Sequence, residues 1–489
     1  MKSFQGLALV GLGALLIACG GGAGSGKGAV SPEDDSGRRG RGGQVIAKAA
    51  AANFDRGLEA FQANDKASSW NESSCKSTAE LFIKASEEQE GAGGKPLAVA
   101  VYNAGLSYQR CGNDDEAQKQ FQNALNIDSS FHRAKAQLAL YKYKRSGDID
   151  EAIRELDQVI RDAKFQNVEA LVSLAALQMQ RGGSTSGPGC EDDLSCAKLN
   201  LQRALAIDDG FMPAANQLSV YYMEQAKAKA GAKKQRARGK RRSNALVVAG
   251  SEAVDVNKQQ LDLAALVASQ ALQKNPSYAP LHNTIGLIMV QLKNYNGAVK
   301  SFGRASELDP NFFEAHMNYG AVNLSFRGFQ AAEGAYRKAI ALKPKEYEAH
   351  LGLALAIRGQ INDSNFDKAV KEAQKHLDEC KKIAPERPEA YYNEAILTQE
   401  FRAKRGNAVP MLEKAAAQYR EFIQKAGSDE VYAEAVKRSK DRSQDIEDTV
   451  KFIKEGEEAK KNMPPPPPAA ENKPADTKPA DKKADEKKK

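Results

Sequence analysis

The feature that most constrains this chain is a pattern that returns after 34 residues. His282-x-x-Ile285-Gly286-x-x-Met289 precedes Ala298-x-x-x-Phe302-x-x-Ala305-x-x-x-x-Pro310. One period on, His316-x-x-Tyr319-Gly320-x-x-Asn323 precedes Ala332-x-x-x-Tyr336-x-x-Ala339-x-x-x-x-Pro344. Small residues such as Gly286 and Ala298 let two helices of a pair approach closely, and Phe302 fills the space above the next pair. Pro310 stops the second helix. Each pair leaves one apolar face uncovered, and the following pair must bury it.

This pattern resembles the tetratricopeptide repeat (TPR), a helix–turn–helix unit. Looser copies extend it in both directions. Upstream, Gly105-x-x-Tyr108 goes with Ala117-x-x-x-Phe121-x-x-Ala124, and Tyr143 with Ala152-x-x-x-Leu156-x-x-Val159. Leu171 to Met179 goes with Ala197-x-x-x-Leu201-x-x-Ala204 across an insertion of about ten residues. Ala215 to Met223 resumes at Ala264-x-x-x-Ala268-x-x-Ala271 after a longer one. Downstream, His350-x-x-Leu353-Ala354 goes with Ala373-x-x-x-Leu377-x-x-Cys380, and Tyr391 to Phe401 with Met411 to Lys425. The resemblance covers about eight pairs and implies an all-α, TPR-type helix–turn–helix superhelical solenoid. Where the family places Trp near the start of the first helix, this chain has Val101, His282, His316 or His350.

Composition agrees with helices. Of 489 residues, 42% are hydrophobic, which is too many for a wholly disordered chain. Only one is Trp, which argues against a β-sandwich. No apolar run reaches the roughly 18 to 20 residues that span a bilayer. The net charge of +8 comes from 227–242, which holds nine basic and no acidic residues. Without it the balance is 62 against 63, from 71 less nine against 63, so steering of a polyanion by the whole surface is not expected.

At the N-terminus, Lys2 and the apolar stretch Leu7–Ala18 form a secretory signal. Leu16-Ile17-Ala18-Cys19 resembles the lipobox of bacterial lipoproteins, in which the signal is cleaved and the cysteine is acylated. The resemblance implies lipidation of Cys19, and more than one chain at about 0.8 kcal/mol per buried methylene anchors without a transmembrane helix. Gly20, where an Asp retains many lipoproteins at the inner membrane, implies delivery to the outer membrane, facing the periplasm. Residues 20–43 hold ten glycines and are expected to be a flexible tether with a reach of roughly 27 Å.

The expected order is signal 1–19, tether 20–43, an irregular opening helical pair 44–95, and a TPR array 96–226. A basic insertion 227–258, a second array 259–427, a capping helix 428–462 and a disordered Pro/Lys/Ala-rich tail 463–489 follow. The cap carries a thin apolar stripe of Val431, Ala435, Ile446, Val450 and Ile453.

In an oxidising compartment, Cys190 and Cys196 are expected to staple the insertion between them, and Cys75 to pair with Cys111. Cys380 replaces an interhelical alanine and reads as a buried free thiol. His282, His316 and His350 invite a metal or pH-sensing ladder. Helix pairs stack about 10 Å apart, whereas metal ligands converge within about 2 Å of one ion, so packing is the better reading. The sequence holds no phosphate-cradling loop, HExxH helix or nucleophile elbow, so no enzyme, cofactor, metal site or small-molecule substrate is expected.

By the TPR resemblance, the first helix of each pair lines a concave surface. Tyr102, Leu106, Tyr141, Val172, Met179, Val220, Met223, Leu287, Val290, Met317, Leu324, Leu351 and Leu355 are the candidates there for an apolar groove. Such a groove suits an amphipathic or extended partner segment; the alternative is that part of it is core or is covered by the protein's own termini. Only Asn216 and Asn283 resemble the amides of a carboxylate clamp. Lys233, Lys234, Arg236, Arg238, Lys240, Arg241 and Arg242 are candidates for contact with anionic lipid, glycan or an acidic partner, with nucleic acid not expected outside the cytoplasm. The whole resembles TPR lipoproteins of secretin assembly and, more closely, those of adventurous gliding motility in myxobacteria. That implies a non-enzymatic scaffold for an envelope machine, binding envelope proteins through its groove and the membrane through its lipid.

Overall fold

The computed structural model describes residues 44–67, 69–184, 187, 189–231, 257–405 and 407–462. Cys19, the tether, the seven basic candidates and the tail lie outside the described residues. Among those described no strand forms, and no helix is long and apolar enough to cross a membrane.

The chain divides into two compact units, one up to Ala390 and one from Tyr391. The first is a series of helical hairpins. An opening pair, α1 (Lys48–Ala67) and α2 (Glu72–Gly91), precedes seven more. These are α3 (Ala98–Arg110) with α4 (Asp114–Ile127), α5 (His132–Ser146) with α6 (Ile149–Asp162), and α7 (Val168–Arg181) with α8 (Asp193–Ile207). Next come α9 (Met212–Gly231) with α10 (Lys258–Lys274), and α11 (Ala279–Gln291) with α12 (Tyr295–Leu308). The last are α13 (Phe313–Ser325) with α14 (Phe329–Leu342), and α15 (Tyr347–Arg358) with α16 (Phe366–Ile383). Each helix packs on the next in sequence, so the fold is the TPR-type solenoid expected.

Local chemistry sets many of the helix starts. The second helices α4, α6 and α12 start on polar caps: Asn113, Asp148 and Asn294 each accept a backbone N–H three residues on, at 2.9 to 3.3 Å. The first helices α3, α5, α11 and α13 start instead on the apolar residues Leu97, Phe131, Tyr278 and Phe312 with no side-chain cap, whereas α7 starts on Asn167, which accepts from the Ala170 N–H at 3.1 Å. Between hairpins the chain turns on Asp128, Asp208, Asn275 and Asp309, whose side chains accept the N–H two residues later at 2.9 to 3.1 Å.

The two helices of a pair are buried differently. In α7, α13 and α15 the buried residues number 11 of 14, 9 of 13 and 10 of 12; in α12 and α14 they number 3 and 4 of 14. First helices through the middle of the series are therefore enclosed on most sides, while second helices keep one face in water. Close approach explains the glycines: a Cβ on Gly105 would lie 2.6 Å from the Phe121 ring, and one on Gly286 would overlap Phe302.

The second unit holds α17 (Glu389–Glu400, apart from its first two residues), α18 (Ala408–Ala426) and α19 (Ala433–Lys461). Tyr392 packs on Tyr419 and Phe422, with ring centroids 6.1 and 5.0 Å apart. The cap is one helix of 29 residues and buries Ala435, Ile446 and Val450 of the expected stripe. Val431 is a correction: it lies in the short turn before α19 and is 70% exposed.

Candidate partner-binding surface

The expected groove is not open. Of its candidate residues, Tyr102, Tyr141, Met179, Met223, Val290, Met317, Leu324, Leu351 and Leu355 are only 1% to 8% exposed, and Val172 and Val220 are buried with them. Only Leu106 and Leu287 remain half-buried. The reason is that first helices of neighbouring pairs touch one another, α5 on α7 and so on to α13 on α15. Side chains on that face are packed between helices and form core. Periodicity identifies the face but not the gap between successive copies of it.

Polar groups stitch the same face. Gln109 Nε2 donates to Gln137 Oε1 at 3.2 Å, joining α3 to α5. Thr284 Oγ1 donates to Asn216 Oδ1 at 2.7 Å, joining α11 to α9. Asn318 Nδ2 donates to Asn283 Oδ1 at 2.9 Å, joining α13 to α11. Asn216 and Asn283 are thus buried and engaged within the chain, and they do not form a clamp for a carboxylate. The sequence offered a signal here: Asn283 and Asn318 sit nearly one period apart.

The histidines are staples. His282, His316 and His350 each set Nε2 at 2.9 to 3.0 Å from the carbonyl oxygen of the proline six residues earlier, Pro276, Pro310 and Pro344. Each imidazole therefore ties the start of a first helix to the end of the preceding hairpin. Burial holds His316 below the usual histidine range. Among the described residues no group of three or more His, Cys, Asp or Glu is placed to hold a metal ion.

Two disulfides are formed. Cys75–Cys111, with Cα atoms 6.3 Å apart, joins the start of α2 to the end of α3. Beside it Arg110 makes two 2.9 Å bonds to the Asp65 carboxylate, which also accepts from Trp70 Nε1 at 2.6 Å. Cys190–Cys196, with Cα atoms 5.0 Å apart, closes the insertion before α8, where Arg181 forks onto the buried Asp193. Cys380 is free and fully buried, and burial pushes its thiol far up.

At the far end of the first unit lies a clamp that sequence reasoning missed. Arg387 donates to Glu348 at 2.5 Å and to Glu389 at 3.0 Å, with its guanidinium carbon 3.8 Å from the Tyr347 ring centroid. Burial, with the Glu348 carboxylate alongside, pushes Glu346 up to about 7. Burial would raise Glu348 too, but hydrogen bonds from Glu346 and Arg387 hold it low.

Residues 98–131 and 279–312 match the sequence model of the tetratricopeptide repeat. These segments contain α3–α4 and α11–α12, so these two hairpins are TPR-type units. No curated protein matches the chain. Among solved structures it is similar to a thermophilic TPR protein of Thermus thermophilus, at 22% identity over 46% of this chain and 99% of that one, with TM-score 0.36. It is also similar to a tetratricopeptide repeat protein of Parabacteroides merdae, at 15% over 64% and 99%, with TM-score 0.36. A third is pilF of Pseudomonas aeruginosa, at 17% over 52% and 90%, with TM-score 0.35.

Proposed function

We propose that this chain is a lipid-anchored scaffold of the outer membrane, facing the periplasm, that holds envelope proteins in a multiprotein machine. Gliding motility is the machine its organisation fits best, and assembly of a secretin or pilus is the second. The observation that carries the scaffold reading is the serial stacking of hairpins within the first unit, each helix packed on the next, which is an arrangement suited to protein recognition. Anchoring rests on the lipobox-like Leu16-Ile17-Ala18-Cys19.

Contact with a partner falls to Leu106 and Leu287. They stand at the same position in the two segments that match the TPR model, and they are the candidate groove residues that keep accessible surface. Both belong to first helices, Leu106 to α3 and Leu287 to α11. A half-buried apolar residue on such a face suits an amphipathic segment that buries one side against it.

The test is co-purification from crosslinked envelopes with Leu106→Glu and Leu287→Glu together. Loss of envelope proteins with an unchanged helical circular dichroism spectrum is expected, and full retention of the same proteins contradicts the assignment. For the anchor, metabolic labelling with palmitate is expected to mark the wild type and not Cys19→Ser; an unlabelled wild type removes the lipoprotein reading. The basic run 227–242 carries a separate reading, contact with anionic lipid, because nine cations in sixteen residues attract such a surface at low salt.

A further inference from the structure

The chain holds five histidines, and two of them face each other inside the last hairpin of the first unit. Nδ1 of His350 on α15 lies 2.9 Å from Nδ1 of His376 on α16, with ring centroids 5.1 Å apart. Both side chains are buried. We propose that this imidazole pair is an acid-labile latch that closes the α15–α16 hairpin while neutral and releases it on protonation.

The proton inventory follows from the bonds. His350 Nε2 lies 3.0 Å from the Pro344 carbonyl oxygen, which can only accept, so this nitrogen carries the hydrogen and Nδ1 presents a lone pair. His376 must then donate from Nδ1, which leaves Nε2 as its only basic atom. A first added proton goes to His376 Nε2 and leaves the Nδ1–H···Nδ1 bond in place, so what opens the hairpin is the cost of holding that charge in a buried site.

The charged neighbours come from each packed element. Arg337 on α14 and Lys375 on α16 disfavour the cation, and Glu372 on α16 favours it. Glu372 is already bonded to Arg337 at 2.5 Å, which is bonded in turn to Glu333. Glu379, which feels His350, is paired with Lys382 at 2.7 Å. No free carboxylate is thus offered by this set to receive the proton's charge. Burial first, and His350 second, push His376 down to about 4. Among the described residues the staples of His282 and His316 bond to proline carbonyls with no imidazole opposite them, so the latch belongs to one hairpin and not to a ladder.

Hydrogen–deuterium exchange of the full chain tests this, with rates corrected for intrinsic pH dependence. Between about pH 7 and about pH 4.5, protection over 347–383 is expected to fall by about tenfold or more relative to 279–308. His376→Asn keeps an N–H donor for His350 Nδ1 and cannot titrate, so the relative fall is expected to vanish. A wild type without the relative fall, or a variant that keeps it, overturns the proposal. Should the variant fail to fold, proton–nitrogen correlation spectra of the wild-type imidazoles decide. Two neutral rings near neutral pH, His350 protonated at Nε2 and His376 at Nδ1, support the latch; a charged ring or the opposite tautomers overturn it.

Discussion

The ring of Tyr336 occupies the space that a side chain on Gly352 would need. A Cβ on Gly352 would overlap the ring, and one on Gly320 would lie 2.9 Å from its Cζ. Tyr336 is fully buried between the first helix of its own hairpin and that of the next. Burial accordingly drives its phenol far above the ordinary tyrosine range.

Gly352→Ala is therefore expected to destabilise the chain by about 1 to 2 kcal/mol, since overpacking exceeds the gain in helix propensity. Gly334 on α14 is the control: nothing lies within 4 Å of its added Cβ. Gly334→Ala should stabilise by about 0.5 to 1 kcal/mol. Denaturant midpoints of the two variants check the pair, and equal shifts of one sign would refute the packing argument.

Much of this hairpin architecture was legible because ring and glycine recur at fixed offsets, as Phe302 does with Gly286 and Tyr336 with Gly320. The binding face was not. Whether Met317 or Leu351 lines a groove or sits in core depends on how closely first helices approach, a tertiary distance with no sequence period. The His350–His376 pair was also hidden, because the positions equivalent to His376 in the two preceding second helices hold Ala335 and Ser301.

Glu346 gives a pH dependence of definite sign. Its carboxyl sits at about 7 when folded against an ordinary 4.5, so between these values the folded chain holds a proton that the unfolded chain releases. Stability from this group is fully present below 4.5 and is lost as pH rises through about 7. Glu346→Gln should raise the urea midpoint in mildly alkaline buffer and leave it unchanged in acid. A shift of equal size at both ends would contradict the assignment.

Arg387 neutralises two largely buried carboxylates, Glu348 and Glu389, each 14% exposed. Removing it leaves both charges poorly hydrated. Arg387→Ala should cost about 2 to 4 kcal/mol in thermal or denaturant unfolding, and Arg387→Lys should recover only part, because an ammonium cannot fork onto both or stack on Tyr347.

The two disulfides close loops of different length, with sequence separations of 36 and 6. Loop-closure entropy gives about 4 kcal/mol for Cys75–Cys111 and about 2 kcal/mol for Cys190–Cys196. Cys75→Ser with Cys111→Ser is thus expected to lower the melting temperature more than the Cys190→Ser and Cys196→Ser pair does. The reverse order in calorimetry would assign the opening pair's stability to Arg110–Asp65 and the apolar contacts instead.

The central claim is that stacked hairpins present partner-binding surface at Leu106 and Leu287. Site-specific photocrosslinking in the intact envelope tests it most directly, with the probe placed at 106, at 287 or at exposed Leu266 on α10. One and the same protein adduct from 106 and 287, absent from 266, is the predicted result. Adducts of equal yield from all three positions, or none from 106 and 287, would contradict it.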